Sequence, residues 1–162
     1  MYTSIREQNF FLKHLEQSHR VLEWGSGQST LEIAERVKSL VSIEHNRPWY
    51  DKTINKIPNN AKLILKEPNG PWDWGRPQPY ELFKDYIEYP LQEIKDGLFD
   101  IVFIDGTSRQ NCASICKQIT HENSIVFIHD FDLKVRTSYI DALKYLEKIE
   151  QVETMAKFKV IR

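Results

Sequence analysis

Apolar positions change their spacing several times along the chain, and each change marks an element. Ile5, Phe11, Leu12 and Leu15 recur at intervals that suit one face of an opening helix within residues 1–19, and RVLEW then reads as a short buried strand. Ser29 or Thr30 can start a helix over TLEIAERV, after which LVSIEH predicts a second apolar strand ending in an acid. Pro48 suits the first turn of a helix reaching about Ile57. AKLILKE, FDIVFID and SIVFIHD predict a third, fourth and fifth strand, with helical spacing in RQNCASICKQI between the last two. Tyr139, Leu143, Leu146 and Ile149 predict a late helix, followed by QVETMA and KFKVIR as two tightly joined closing strands.

Strands alternating with helices imply a mostly parallel sheet covered on both faces, because parallel neighbours need crossover connections. The closing pair has too few residues between its members for a crossover and is expected to be antiparallel. The prediction is one α/β domain over residues 1–162, with a doubly wound sheet of seven strands. One region breaks the rhythm. EPNGPWDWGRPQPY, residues 67–80, holds four of the seven prolines and two of the four tryptophans, so it predicts a long loop on the carboxyl side of the third strand. Trp72, Trp74 and Tyr80, with Tyr86 beyond, have rings that can stack on a sugar or cover a cofactor, and Arg76 adds a donor for an anion. The same rings can equally pack the loop onto the sheet.

Composition narrows the partners. A net charge of −1 gives no broad attraction to a polyanion, so nucleic acid is not expected and a small molecule or glycan fits better. Cys112 and Cys116 lie four apart on a predicted helix and read as small core residues in a reducing compartment. The first residues lack the apolar run of a signal peptide, and no segment has membrane-spanning length. A soluble, cytoplasmic protein with no membrane partner is expected.

The candidate chemistry starts in VLEWGSGQSTLEIA, where a strand runs through two glycines into a helix. In an open parallel sheet, ligands bind at the carboxyl ends of the strands, beside a topological switch. Gly25 and Gly27 can let the backbone approach a ligand there, or simply form a sharp corner. Glu44, nineteen residues past Gly25 at the end of the second strand, is placed to accept the two hydroxyl hydrogens of a ribose. A nicotinamide dinucleotide and S-adenosylmethionine both meet that description. Thr30 stands where the dinucleotide fingerprint wants a third glycine, and Glu23 would repel a pyrophosphate but can hold a cationic amino group, which favours S-adenosylmethionine.

EWGSGQST, IEHN, FDIVFIDG and IVFIHDFD together resemble the class I S-adenosylmethionine-dependent methyltransferases, from about Arg20 onward. VLEWGSGQST, SIEHNRPWY and IDGTSRQNCA, with a strand ending in HD, are similar to small sugar and polysaccharide O-methyltransferases. The resemblance implies a Rossmann-like fold and a cofactor site built on Glu23, Trp24, Gly25, Ser26, Gly27, Ser29, Thr30, Glu44, His45, Asp105 and Gly106. It implies methylation of a sugar or other small-molecule hydroxyl. In the metal-dependent sugar enzymes a histidine follows soon after the fourth-strand aspartate, where this chain reads IDGTSR.

Methyl transfer to oxygen requires in-line alignment and removal of a hydroxyl proton. Asp105, His129 and Asp130 are the candidates for that second task. Asp105, Asp130 and Asp132 also have the oxygen donors that a hard cation such as magnesium takes. Arg109 can hold an acidic sugar or form a surface salt bridge. Two other functions share the fold: a nicotinamide-dependent oxidoreductase, and a catalytically silent cofactor-binding or scaffold protein in glycan synthesis.

Overall fold

A computed structural model describes residues 3–162; Met1 and Tyr2, at the start of the expected N-terminal helical segment, lie outside the described residues. The strands are β1 (Arg20–Trp24), β2 (Ser39–Glu44), β3 (Ala61–Leu65), β4 (Phe99–Ile104), β5 (Thr120–Ile128), β6 (Leu146–Val152) and β7 (Met155–Val160). They form one sheet in the order β3-β2-β1-β4-β5-β7-β6. The first five pair in parallel, and β7 is antiparallel to both β5 and β6. The α/β class, the seven strands and the antiparallel closing pair are as the sequence predicts.

Helices cover both faces: α1 (Ile5–Leu12), α2 (Gln28–Ala34), α3 (Arg47–Thr53), α4 (Lys84–Glu88), α5 (Arg109–Ser114) and α6 (Cys116–Ile119). Alternate residues of each central strand enter opposite cores. Val21, Ile101, Phe103 and Phe127 pack with Phe10 and Phe11 of α1 and Ile33 of α2. Leu22, Trp24, Val102, Ile104, Val126 and Ile128 pack with Ile87 of α4, Cys112 of α5 and Ile119 of α6. Burial on both faces explains why these strands read as unbroken apolar runs. Among the described residues, no helix is long and apolar enough to cross a membrane.

One predicted element is different. The stripe Tyr139, Leu143, Leu146 and Ile149 does not form a single helix: a 3-10 helix spans Thr137–Lys144, and β6 begins at Leu146. Leu146 pairs with Val160 and Val152 with Met155, so the hairpin turns at Glu153 and Thr154 rather than after Ala156. Glu153 takes a left-handed φ of 51° there. Pairing with β7 outweighs a helical spacing that four apolar residues can produce by coincidence.

Strand order places the topological switch between β1 and β4, because the chain leaves β3 at one edge and returns beside β1. The parallel ladder continues one residue beyond the strand ends: Gly25 N donates to Ile43 O at 2.8 Å, Asp105 N to Trp24 O at 2.9 Å and His129 N to Ile104 O at 3.2 Å. Three loops therefore leave the sheet side by side.

Candidate active site

The loop after β1 is organised from beneath by Glu23. This residue is fully buried, and its carboxylate accepts hydrogen bonds from Ser29 Oγ, from Thr30 Oγ1 at 2.6 Å and from Ser42 Oγ at 2.6 Å. Thr30 Oγ1 also accepts from Gly27 N at 2.9 Å, so its hydroxyl links the buried acid to the turn that starts α2. Burial pushes the Glu23 carboxyl up to about 7, against the three hydroxyls that favour its ionised form; the nearby charge of Asp105 adds to the rise.

Gly25 has φ 97°, and a Cβ built on it would lie 2.6 Å from Gly106 Cα and 2.9 Å from the carbonyl carbon of Asp105. The β1 and β4 loops therefore touch backbone to backbone at this glycine. Gly27 has open space around its Cα.

Glu44, at the end of β2, is buried and accepts at both oxygens. Oε2 receives Ser26 N at 2.8 Å and Ser26 Oγ at 2.7 Å, and Oε1 receives His45 N and Asn46 N, each at 2.9 Å. Burial would raise its pKa, but the nearby His45 ring and the hydrogen bonds from Ser26 and Asn46 outweigh it and hold the group below the ordinary carboxylate value. The His45 ring stands 3.1 Å from Glu44 Oε1 without hydrogen-bond alignment, so its two nitrogens have no hydrogen-bond partner among the described residues. Trp72, Trp74, Phe83 and Tyr86 present edges or faces to that ring at centroid distances of 5.5–6.2 Å.

A charged cluster forms where the β4 and β5 loops meet. His129 Nδ1 lies 2.8 Å from Asp105 Oδ1, while Nε2 lies 3.6 Å from Glu7 Oε2 and 3.8 Å from Asp130 Oδ1. Burial disfavours the charged ring, but the hydrogen bond and charge of Asp105, with those of Asp130 and Glu7, raise the pKa of His129 above its ordinary value. Glu7 is fixed by its own contacts: Ser4 N donates to it at 3.0 Å in a capping box, and Thr154 donates through N at 2.8 Å and Oγ1 at 2.7 Å. Arg109 clips the cluster together. Its Nε donates to Gly106 O at 2.9 Å, Nη2 to Asp105 O at 3.0 Å and Nη1 to His129 O, while Nη2 pairs with Asp130 Oδ2 at 3.2 Å. Asp130 holds a left-handed φ of 53° and stays 37% exposed at its side chain.

One cleft of about 970 Å³ joins the Glu44 and His45 end to this cluster, and Gly25, Ser26 and Gly106 also line it. Such a volume suits a nucleoside-sized ligand and an acceptor together. Gln78, Asn111, Thr137 and Ser138 contribute amides and hydroxyls to its far wall. Gln78 also ties the 67–80 loop to α5, accepting from Ser108 N at 2.6 Å and from Asn111 Nδ2 at 3.0 Å.

The chain resembles a methyltransferase-like protein of Silicibacter pomeroyi over 99% of its own length and 87% of that protein's, at 22% identity and a TM-score of 0.77. The fold is that of the class I methyltransferases. The N-methyltransferase NodS of Bradyrhizobium japonicum, solved with S-adenosylhomocysteine, matches this methyltransferase fold at 14% identity and TM-score 0.60, over 97% of this chain and 87% of that one. The MycE methyltransferase of mycinamycin biosynthesis, solved with magnesium, SAH and mycinamycin VI, matches at 16% identity and TM-score 0.60, over 96% of this chain and 45% of that one. No protein-family model matches the chain, and no curated protein does.

Within this methyltransferase fold, Gly25, Ser26, Glu44, His45, Asp105 and Gly106 line the cleft together with His129 and Asp130. The other residues expected at the cofactor do not line it. Glu23 is turned under the loop, where three hydroxyls take its carboxylate; Trp24 is core and donates through Nε1 to Tyr86 O; Ser29 and Thr30 serve Glu23, and Gly27 lies outside the lining. Of the expected substrate residues, Trp74, Arg76, Tyr80 and Arg109 reach the cleft, whereas Trp72 packs against the core. Arg109 is neither a surface ion pair nor a free anion donor, since it is 8% exposed and spends its guanidinium on the loops.

Asp132 is not part of the charged cluster: its carboxylate accepts from Lys134 N at 2.9 Å, and the donors that converge within 4.8 Å are Asp105, His129 and Asp130. That set does not fit a divalent cation as arranged. The Arg109 guanidinium already pairs with both carboxylates, and His129 Nδ1 is engaged with Asp105 Oδ1 at 2.8 Å, so a cation would have to displace these partners.

The raised pKa of Glu23 carries a stability consequence. A folded-state value above the unfolded 4.5 means that the native state binds the proton more tightly, so this group's contribution is greatest below pH 4.5 and falls as pH rises to about 7. The loss amounts to about 3 kcal/mol. Glu23→Gln is expected to flatten that part of the profile, so urea denaturation from pH 4.5 to 8 should show the variant gaining on the wild type as pH rises.

Proposed function

We propose that this protein transfers a methyl group from S-adenosylmethionine to a hydroxyl of a sugar or similar small polar molecule. The observation that carries the reading is the single cleft running from Glu44 and His45 to a half-buried carboxylate, Asp130. Glu44 and His45 would hold the nucleoside end of the cofactor, and Gly25, Ser26, Asp105 and Gly106 its amino-acid end. The cofactor would supply an electrophilic methyl on sulfonium. Gln78, Asn111, Thr137 and Ser138 offer neutral donors and acceptors that suit a polyhydroxylated acceptor.

Roles within the cluster follow from its contacts. His129 Nδ1 meets Asp105 Oδ1 and its Nε2 faces Glu7, so the ring orients Asp105, which leaves Asp130 as the group that takes the acceptor proton. The NodS and MycE likenesses support methyl transfer more broadly than they support oxygen as the acceptor atom. A labelled-methyl assay over sugars, glycans and amines tests the reading. Asp130→Asn is expected to lower turnover about a hundredfold with SAH affinity preserved. Equal turnover would remove Asp130 from proton transfer.

The guanidinium on Asp105 and Asp130 favours one other reading, a cofactor-binding protein without turnover. It predicts SAH binding with no labelled product from any acceptor.

A further inference from the structure

An ionised carboxylate offers about four lone-pair sites, two on each oxygen. At Glu44 all four are occupied: His45 N and Asn46 N on Oε1, and Ser26 N and Ser26 Oγ on Oε2. A ribose diol arriving at this acid meets no vacant acceptor. Three of the four donors are main-chain amides and cannot leave without moving the β1 loop or the turn into α3. The fourth, the Ser26 hydroxyl, sits on a single rotatable bond of a residue that lines the cleft.

We propose that the Ser26 hydroxyl is a placeholder for a ligand hydroxyl: it caps Glu44 while the cleft is empty, turns away on binding, and gives its one acceptor site to the nucleoside. The inference rests on the cofactor reading above and refines it. Glu44 takes one new hydroxyl in direct contact rather than the two that its position at the end of the strand suggests. Ser26 thereby sets cofactor affinity, because every binding event first breaks its bond to Glu44. The displaced hydroxyl meets water in the open cleft, so the complex retains little memory of it.

Removing the hydroxyl should therefore destabilise the empty protein and leave the complex nearly unchanged. Ser26→Ala is expected to bind SAH about tenfold more tightly than the wild type, the worth of one hydrogen bond to a charged group. Ser26→Cys retains the bulk with a weaker donor and should fall between the two. Calorimetric titration of all three proteins with SAH provides the measurement, and thermal melting without ligand should place Ser26→Ala below the wild type. If the wild type binds and Ser26→Ala binds equally or more weakly, the placeholder role is overturned while the cofactor reading stands. If no protein binds SAH, the cofactor reading is overturned and the placeholder role falls with it.

Discussion

Gly25→Ala is expected to lower folding stability by about 3–5 kcal/mol, from a left-handed backbone that L side chains resist and from overpacking against another loop. The φ of 97° is one contribution, and the atoms that a Cβ would meet are the other. Those atoms belong to the backbone of Asp105 and Gly106, which cannot swing aside as the end of a side chain would. Relief would require the β4 loop to withdraw from β1, taking Asp105 away from His129 Nδ1 and Gly106 away from Arg109. The glycine thus serves the joint between two loops at the edge of the cleft that it also lines. Gly27→Ala supplies the contrast, since nothing lies near its Cβ position, and a change below about 0.5 kcal/mol is expected. Urea denaturation of the two variants separates these outcomes; equal stability would contradict the assignment of the joint to Gly25.

Arg109→Ala is expected to cost a similar 3–5 kcal/mol, the usual consequence of leaving buried charges without their partner. Its side chain joins three main-chain carbonyls, those of Asp105, Gly106 and His129, to the carboxylates of Asp105 and Asp130. Without it, two acids face each other beside a third at Glu7, with His129 between them and Arg136 3.9 Å from Asp130 Oδ2. Lysine keeps the charge but not the fork of five donors, so Arg109→Lys should recover only part of the loss. Thermal unfolding at neutral pH is the check. A melting temperature unchanged in Arg109→Ala would mean that the loops hold their places without the clip.

The central strands were legible because Leu22, Val102 and Val126 on one face, and Val21, Phe103 and Phe127 on the other, all enter cores. Glu44 and Gly25 were legible as strand-end features, since loop position follows from strand order. What they touch was not. Glu23 precedes the glycine turn by two residues, a spacing that suits a ligand contact and a buried brace alike; Ser42, which completes the brace, is nineteen residues away. Arg109 reads as a surface ion pair or an anion donor because nothing local shows that two strand ends close over it. Glu7 was missed entirely: the Ser4–Glu7 capping box is a readable signal for where α1 begins, but its approach to His129 depends on how α1 lies across the sheet. The helix predicted through Leu146 and Ile149 failed because the long-range register with β7 decides that segment.

The most direct test of the proposed function is calorimetric titration of the wild-type protein with SAH and, separately, with NAD. Saturable one-site binding of SAH, with no heat from NAD, is the expected result, because the cleft offers Glu44 for a nucleoside and no glycine-rich pyrophosphate cradle beyond Gly27. Binding of NAD in place of SAH, or of neither, would contradict a cofactor site for S-adenosylmethionine in this cleft.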